Sequence, residues 1–149
     1  MIKAIICDVD GVIINRDRYF SEKLAERLNL DLKTEVLPFF TGIFQECLIG
    51  KKDLKVEVVP WLEKWGWEGS VDDFLKYWFE EEREIDERII RIMKNLKDKG
   101  IRLFLGTDNE KYYRLRITRE LTLVYDLKRL SDRLLLELEK IIQLSLKLL

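Results

Sequence analysis

The chain has 149 residues, 27 basic and 28 acidic side chains, a net charge of −1 and no histidine. This length suits one ordinary domain, and the lack of a basic excess argues against a nucleic-acid partner. Every mechanism that depends on an imidazole is excluded. Cys7 and Cys47 fit two reduced thiols, and Met1 leads almost directly into an apolar run without a signal peptide, so we expect a cytoplasmic protein.

The first predicted element is a strand that ends in two carboxylates. The apolar run Ala4 to Cys7 is typical of a buried parallel strand, and Asp8 and Asp10 follow it. Residues i and i+2 share a face, so both carboxylates are expected to point into one crevice at the ligand-binding end of the sheet. Two neighbouring carboxylates repel unless a cation or proton lies between them, which predicts a site for Mg²⁺. The alternative is an aspartate pair that only caps a turn.

Residues 15 to 84 predict amphipathic helices and no convincing strand. Ser70 with Asp73 indicates a capping box, and the charged run Glu80 to Glu84 indicates a helix surface or a hinge. Prolines are tolerated only near helix starts. Aromatic residues at helical spacing usually form the core, although one could line a pocket. The other helical segments are expected at Ser21 to Leu30, Thr34 to Leu48 and Lys52 to Trp65, and the tryptophans of the region are Trp61, Trp65, Trp67 and Trp78.

A second strand is predicted at Ile101 to Leu105, after a helix that ends at Gly100. Thr107, Asp108 and Asn109 follow this strand and precede another charged helix. At the amino end of a helix, free backbone N–H groups favour an anion, so these three residues are candidates for binding phosphate. They are equally candidates for capping the helix, and both roles are compatible.

The two strand ends together resemble the haloacid dehalogenase (HAD) superfamily, whose signatures are a strand followed by D-x-D-G and a later strand ending in Ser or Thr. The resemblance implies that Asp8 is a nucleophile that becomes an aspartyl-phosphate. It implies that Asp10 is the general acid and base, that Asp8 and Asp10 hold Mg²⁺, and that the Thr107 hydroxyl binds phosphate. True dehalogenases of the superfamily lack the second aspartate, so Asp10 favours phosphoryl transfer.

The resemblance also implies a fold and a division of the chain. We expect an α/β protein with a HAD-like parallel sheet core, incomplete at the C-terminus, and an inserted α-helical cap. The core is expected at residues 1–14 and 85–149, and the cap at residues 15–84. In such enzymes, the cap closes over the crevice, excludes water and selects the substrate.

The C-terminal part departs from the family pattern. A lysine and an acidic pair should follow Thr107, but only Lys128 weakly matches the lysine, and Asp126 and Asp132 are poorer matches to the acidic pair. Losing one preorganised charge partner typically costs on the order of 3 kcal/mol of transition-state stabilisation, or about a hundredfold in rate. We therefore expect slow or undetectable turnover. Truncation, a frameshift or divergence could each produce such an ending.

The leucine-rich end predicts an amphipathic helix from Leu127 to Leu149, with Leu121 to Tyr125 as a third strand leading into it. The helix could cover one face of a shortened sheet, or it could form a homodimer through its apolar stripe. It is too charged to span a membrane.

Two functions remain open at this point. The first is a HAD-type Mg²⁺-dependent phosphohydrolase that acts on a small phosphorylated metabolite through an aspartyl-phosphate. The second is a catalytically impaired HAD-fold protein that acts by binding or self-association. Neither function needs a nucleic acid or a membrane as partner.

Overall fold

The computed structural model describes residues 2–107, 109–125 and 128–129. The protein is a mixed α/β structure that is mostly helical, so the expectation of an α/β fold is confirmed at this level. In chain order, its elements are β1 (Ala4–Asp8), α1 (Phe20–Leu28), a π-helical turn (Leu32–Val36), α2 (Leu37–Thr41), α3 (Ile43–Leu48), α4 (Leu54–Glu57), α5 (Val59–Trp65), α6 (Val71–Glu81), α7 (Glu87–Asp98), β2 (Arg102–Gly106), α8 (Lys111–Tyr125) and β3 (Lys128–Arg129).

The sheet is parallel, in the order β1-β2-β3. Ala4 lies opposite Arg102 and Asp8 lies opposite Gly106, so β1 and β2 end at the same edge. The short β3 extends the sheet beside β2 with Lys128 opposite Phe104. The residues that follow β1 and β2 are therefore brought to one edge of the sheet, as parallel topology requires.

The prediction that β1 is a buried strand is wrong for one of its faces. Ile5 and Cys7 pack against the core, but Ala4, Ile6 and Asp8 are exposed, and Ile6 retains 47% of its accessible surface. The described helices cover only the face that Ile5 and Cys7 share with the buried residues of β2. A continuous apolar run does not reveal that a strand has one covered face, because both faces carry apolar side chains.

The segment predicted as a single helix from Thr34 to Leu48 is interrupted. A π-helical turn leads into α2, which has Pro38 in its first turn, and the chain breaks at Gly42 before α3. A Cβ atom on Gly42 would lie 2.6 Å from the carbonyl oxygen of Pro38, so the chain can fold back here only because the residue is glycine. The segment Lys52 to Trp65 is likewise divided, and Pro60 lies in the first turn of α5.

The capping box that starts α6 is confirmed. The backbone N–H of Asp73 donates to the Ser70 hydroxyl at 3.1 Å, and the backbone N–H of Ser70 donates to the Asp73 carboxylate at 3.0 Å. Helix α6 buries one aromatic stripe against α1 and α2. The tryptophans are core residues as predicted: Trp65 and Trp78 are buried, and Trp61 and Trp67 pack against the core.

The helical region leaves and rejoins the sheet through two adjacent segments. Ile14 forms an antiparallel bridge with Ile85, and the Asn15 N–H donates to the Glu84 carbonyl at 3.0 Å. The Asp86 N–H donates to the Ile13 carbonyl at 2.8 Å. The division into a core and a cap stays a prediction, but backbone hydrogen bonds join the two segments that connect the helical region to the sheet.

The prediction of a strand at Leu121 to Tyr125 is wrong, because these residues continue helix α8. Tyr113, Ile117 and Leu121 are buried at intervals of four residues, which is the spacing of one helix face. The predicted helix after Leu127 is wrong at Lys128 and Arg129, which pair with β2 as strand β3. The rest of that helix lies outside the described residues, and so do Asp126 and Asp132. In the part of the chain that the structure describes, no helix is long and apolar enough to cross a membrane.

Candidate functional site

The turn after β1 fixes the two aspartates on either side of a buried valine. The Val9 N–H donates to the Gly106 carbonyl at 3.1 Å, and the Val9 carbonyl accepts from the N–H groups of Ile13 and Ile14. Gly11 adopts a φ of +75° that permits this tight turn. Asp8 is exposed at the edge of the sheet, whereas Asp10 is partly buried.

Asn109 joins the first strand end to the second. Its side-chain amide donates to Oδ2 of Asp10 and to the Thr107 hydroxyl, the latter at 2.9 Å. The backbone N–H of Asn109 also donates to the Thr107 hydroxyl at 3.3 Å. Asn109 therefore contacts both Asp10, from the first motif, and Thr107, from the second. Asp108 lies outside the described residues.

Arg16 holds the other oxygen of Asp10. One guanidinium nitrogen lies 2.5 Å from Oδ1 of Asp10, and the other lies 2.6 Å from Oε1 of Glu82 at the end of α6. Burial disfavours the charge of Arg16, but the neighbouring Glu82 and Asp10 carboxylates outweigh this effect and raise its pKa. Arg16 thus connects the strand-end loop to the helical region.

Glu82 is a buried carboxylate that the sequence reasoning missed. Its Oε2 accepts from the Trp78 indole N–H at 3.0 Å, and its backbone carbonyl accepts from the Tyr113 hydroxyl at 3.4 Å. Burial raises the pKa of Glu82, and the Arg16 charge opposes that rise. The expectation that Glu80 to Glu84 is a helix surface is wrong at Glu82. Its spacing of four residues from buried Trp78 is the signal that could have revealed it.

Glu110 occupies the amino end of α8, which is where an anion was expected. Its carboxylate accepts from the backbone N–H groups of Tyr112 and Tyr113, so the chain caps this helix with its own acid. Glu110 is only 3% exposed, and burial raises its pKa. Glu110 therefore caps the amino end of α8, and Thr107 and Asn109 precede it in the chain.

A cavity of about 320 Å³ lies beside this network. Arg16 and Asn109, which both hold Asp10, line one part of it, and Glu82 and Glu110 line another. Aromatic side chains contribute much of the remaining wall. They are Tyr19, Phe20, Phe40, Phe44, Trp78, Phe79 and Tyr113.

The oxygens of Asp8 and Asp10 are the donor type that Mg²⁺ prefers, and the exposed carboxylate of Asp8 suits a largely hydrated ion. Both carboxylate oxygens of Asp10 already accept hydrogen bonds, so a metal ion at this side chain would compete with Arg16 and Asn109. Within residues 2–107, 109–125 and 128–129, no group of three or more acidic or thiol side chains is placed to hold a metal. Lys128 pairs with Phe104, two residues before the end of β2, and its role as the family lysine stays a prediction.

No protein-family model, curated protein or solved structure matches this chain. The resemblance to the HAD superfamily therefore rests on two short motifs, the D-x-D-G that begins at Asp8 and the threonine after β2. What the site does must be inferred from the geometry of those residues and their neighbours.

Proposed function

We propose that this chain is a HAD-type phosphohydrolase that depends on Mg²⁺ and acts on a small phosphorylated metabolite. The observation that carries the proposal is the contact of Asp10 with Asn109 and of Asn109 with Thr107, with exposed Asp8 two residues before Asp10 in the chain. These residues follow adjacent parallel strands, where α/β proteins bind ligands. In this proposal, the sheet is a HAD-like core and the helical segment from 15 to 84 is its cap.

The chemistry assigned to these residues is an acyl-phosphate mechanism. A carboxylate oxygen of Asp8 attacks phosphorus, and the bond from phosphorus to the leaving oxygen breaks. Protonated Asp10 gives its proton to that oxygen, then takes a proton from a water that attacks the phosphorus of the aspartyl-phosphate. Phosphate leaves and Asp8 is restored. Mg²⁺ bound by Asp8 and the Asp10 carbonyl would neutralise phosphate charge, and the Thr107 hydroxyl would hydrogen-bond a phosphate oxygen.

Two contacts favour the second candidate function, a catalytically impaired protein that acts by binding. One Arg16 guanidinium nitrogen lies 2.5 Å from Oδ1 of Asp10 and occupies an oxygen that a general acid would need for its proton. Glu110 occupies the N–H groups at the start of α8 and would repel a phosphate there. We therefore expect slow turnover if the chain is an enzyme.

Hydrolysis of p-nitrophenyl phosphate tests this proposal. We expect slow, Mg²⁺-dependent hydrolysis that is lost in Asp8→Ala and in Asp10→Ala. Asp72→Asn serves as the matched control, because Asp72 is exposed and pairs with Lys55 rather than with a residue of the candidate site. Undiminished hydrolysis in Asp8→Ala would refute the mechanism, and no hydrolysis by a folded wild type would favour the binding function.

A further inference from the structure

The cavity beside Arg16 combines aromatic walls with buried acids. Trp78 forms one wall, and the ring centroids of Phe40 and Phe44 lie 5.3 and 5.1 Å from its own. Phe79 and Tyr113 meet edge to face at 5.2 Å on another wall. The volume of about 320 Å³ is near the lower end of the range for small-molecule pockets, about 300 to 1,000 Å³.

Negative charge exceeds positive charge among the described residues that line this cavity. Glu82 and Glu110 are 8% and 3% exposed, and the cationic side chain of the lining is Arg16. Arg16 divides its charge between Glu82 and Asp10, and Asp10 lies just behind the wall. Bringing another anion into this largely apolar cavity would therefore cost free energy, whereas a cation would offset the burial of the two glutamates.

We propose that the cavity is a binding site for a small organic cation of the alkylammonium class. Aromatic faces attract such cations through the ring quadrupole, and a quaternary ammonium group, which has no N–H to donate to water, is the most weakly hydrated member of the class. The buried carboxylates add an attraction that a neutral apolar group of the same shape does not receive. The site borders Asp10 but uses none of its chemistry, so the proposal goes beyond phosphoryl transfer and does not depend on it.

Calorimetric titration of the full chain with choline and with 3,3-dimethylbutan-1-ol tests the proposal, because the two probes share a shape and differ in charge. We expect choline to bind about tenfold more tightly than the alcohol. Equal affinity for the two probes would overturn the proposal in favour of a purely apolar pocket. Failure of choline to bind the folded wild type would also overturn it.

Variants separate the charge contribution from the aromatic contribution. Glu82→Gln keeps an acceptor for Trp78 and should weaken choline binding about fivefold or more, while binding of the alcohol stays unchanged. Phe44→Leu keeps apolar bulk but removes a ring face, and it should weaken choline binding more than alcohol binding. Asp72→Asn removes an exposed carboxylate that is not part of the lining and should change neither affinity. If Glu82→Gln does not fold, the test rests on Phe44→Leu. Choline binding by Phe44→Leu that is as tight as binding by the wild type would contradict the proposed aromatic site.

Discussion

Replacing Arg16 with methionine removes the guanidinium that lies between Asp10 and Glu82 while keeping a side chain of similar length. Glu82 then keeps the Trp78 indole as a hydrogen-bond donor but loses its counter-charge. The variant therefore leaves a buried carboxylate without an ionic partner. This is a more severe change than deleting both members of the pair together.

The size of the effect follows from burial. Removing one partner of a buried ion pair typically costs about 3 to 5 kcal/mol. The side chains of Arg16 and Asp10 are each 22% exposed and that of Glu82 is 11% exposed, so water screens part of the interaction. We expect a loss at the lower end, about 3 kcal/mol, which corresponds to roughly 6 to 12 °C in Tm for a chain of this length.

The free energy of unfolding that Arg16→Met loses should also depend on pH. Burial raises the pKa of Glu82, so the folded protein binds this proton more tightly than the unfolded chain does. The stability from that proton is fully present below the unfolded pKa and is lost as pH rises through the folded pKa. Because Arg16 opposes the rise, Arg16→Met raises the folded pKa of Glu82 further. The stability of the variant should approach that of the wild type as pH falls below about 4, where Glu82 is protonated in both the folded and the unfolded chain.

Urea unfolding followed by tryptophan fluorescence at pH 7 and pH 4 measures these differences. The double variant Arg16→Met/Glu82→Gln should be about 2 kcal/mol more stable than the sum of the single losses predicts, because no unpaired charge stays buried. Arg18→Met is the matched control, since Arg18 pairs with Glu26 on the surface. A loss at pH 7 no larger for Arg16→Met than for Arg18→Met would refute the assignment of a buried ion pair.

Three further predictions concern a helix cap, a metal site and a turn. Arg88 and the start of α7 lower the pKa of Asp86 to about 2. The stability that this charge contributes is therefore present above the unfolded pKa of about 3.9 and is lost as pH falls toward 2. Asp86→Asn should melt at a lower temperature than the wild type at pH 7 and at the same temperature near pH 2. Mg²⁺ and Mn²⁺ should bind weakly by calorimetry and not bind to Asp8→Asn, and equal heats from both proteins would exclude Asp8 as a ligand. Gly42→Ala should lower the free energy of unfolding by about 1 to 3 kcal/mol, because the new Cβ meets the Pro38 carbonyl oxygen; an unchanged urea midpoint would contradict that contact.

The features that the sequence predicted correctly depend on short-range patterns. The capping box at Ser70 and Asp73 needs only two residues three positions apart, and the parallel strand ends follow from apolar runs that stop at polar residues. The contact of Asp10 with Asn109 was not predicted, but it is consistent with the same logic, because adjacent parallel strands end at one edge. These features require no knowledge of how the helices pack.

The features that the sequence did not predict depend on contacts between distant residues. Arg16 and Glu82 are 66 residues apart, and each sits in a polar stretch that is typical of solvent-exposed surface. Only the return of the chain beside Ile14 and Ile85 brings them together. Glu110 was missed because a glutamate before a helix is a weaker capping signal than the Thr107 and Asn109 that precede it.

The proposed mechanism requires that Asp8 becomes phosphorylated, and chemical trapping of the phosphoenzyme measures this step. The wild type is incubated with p-nitrophenyl phosphate and Mg²⁺, quenched in borohydride and digested for peptide mass spectrometry. We predict that the peptide containing Asp8 carries homoserine at that position, as reduction of an aspartyl-phosphate requires, and that the product is absent without Mg²⁺. Hydrolysis that proceeds with Asp8 unmodified, or with homoserine at another aspartate, would contradict the assignment.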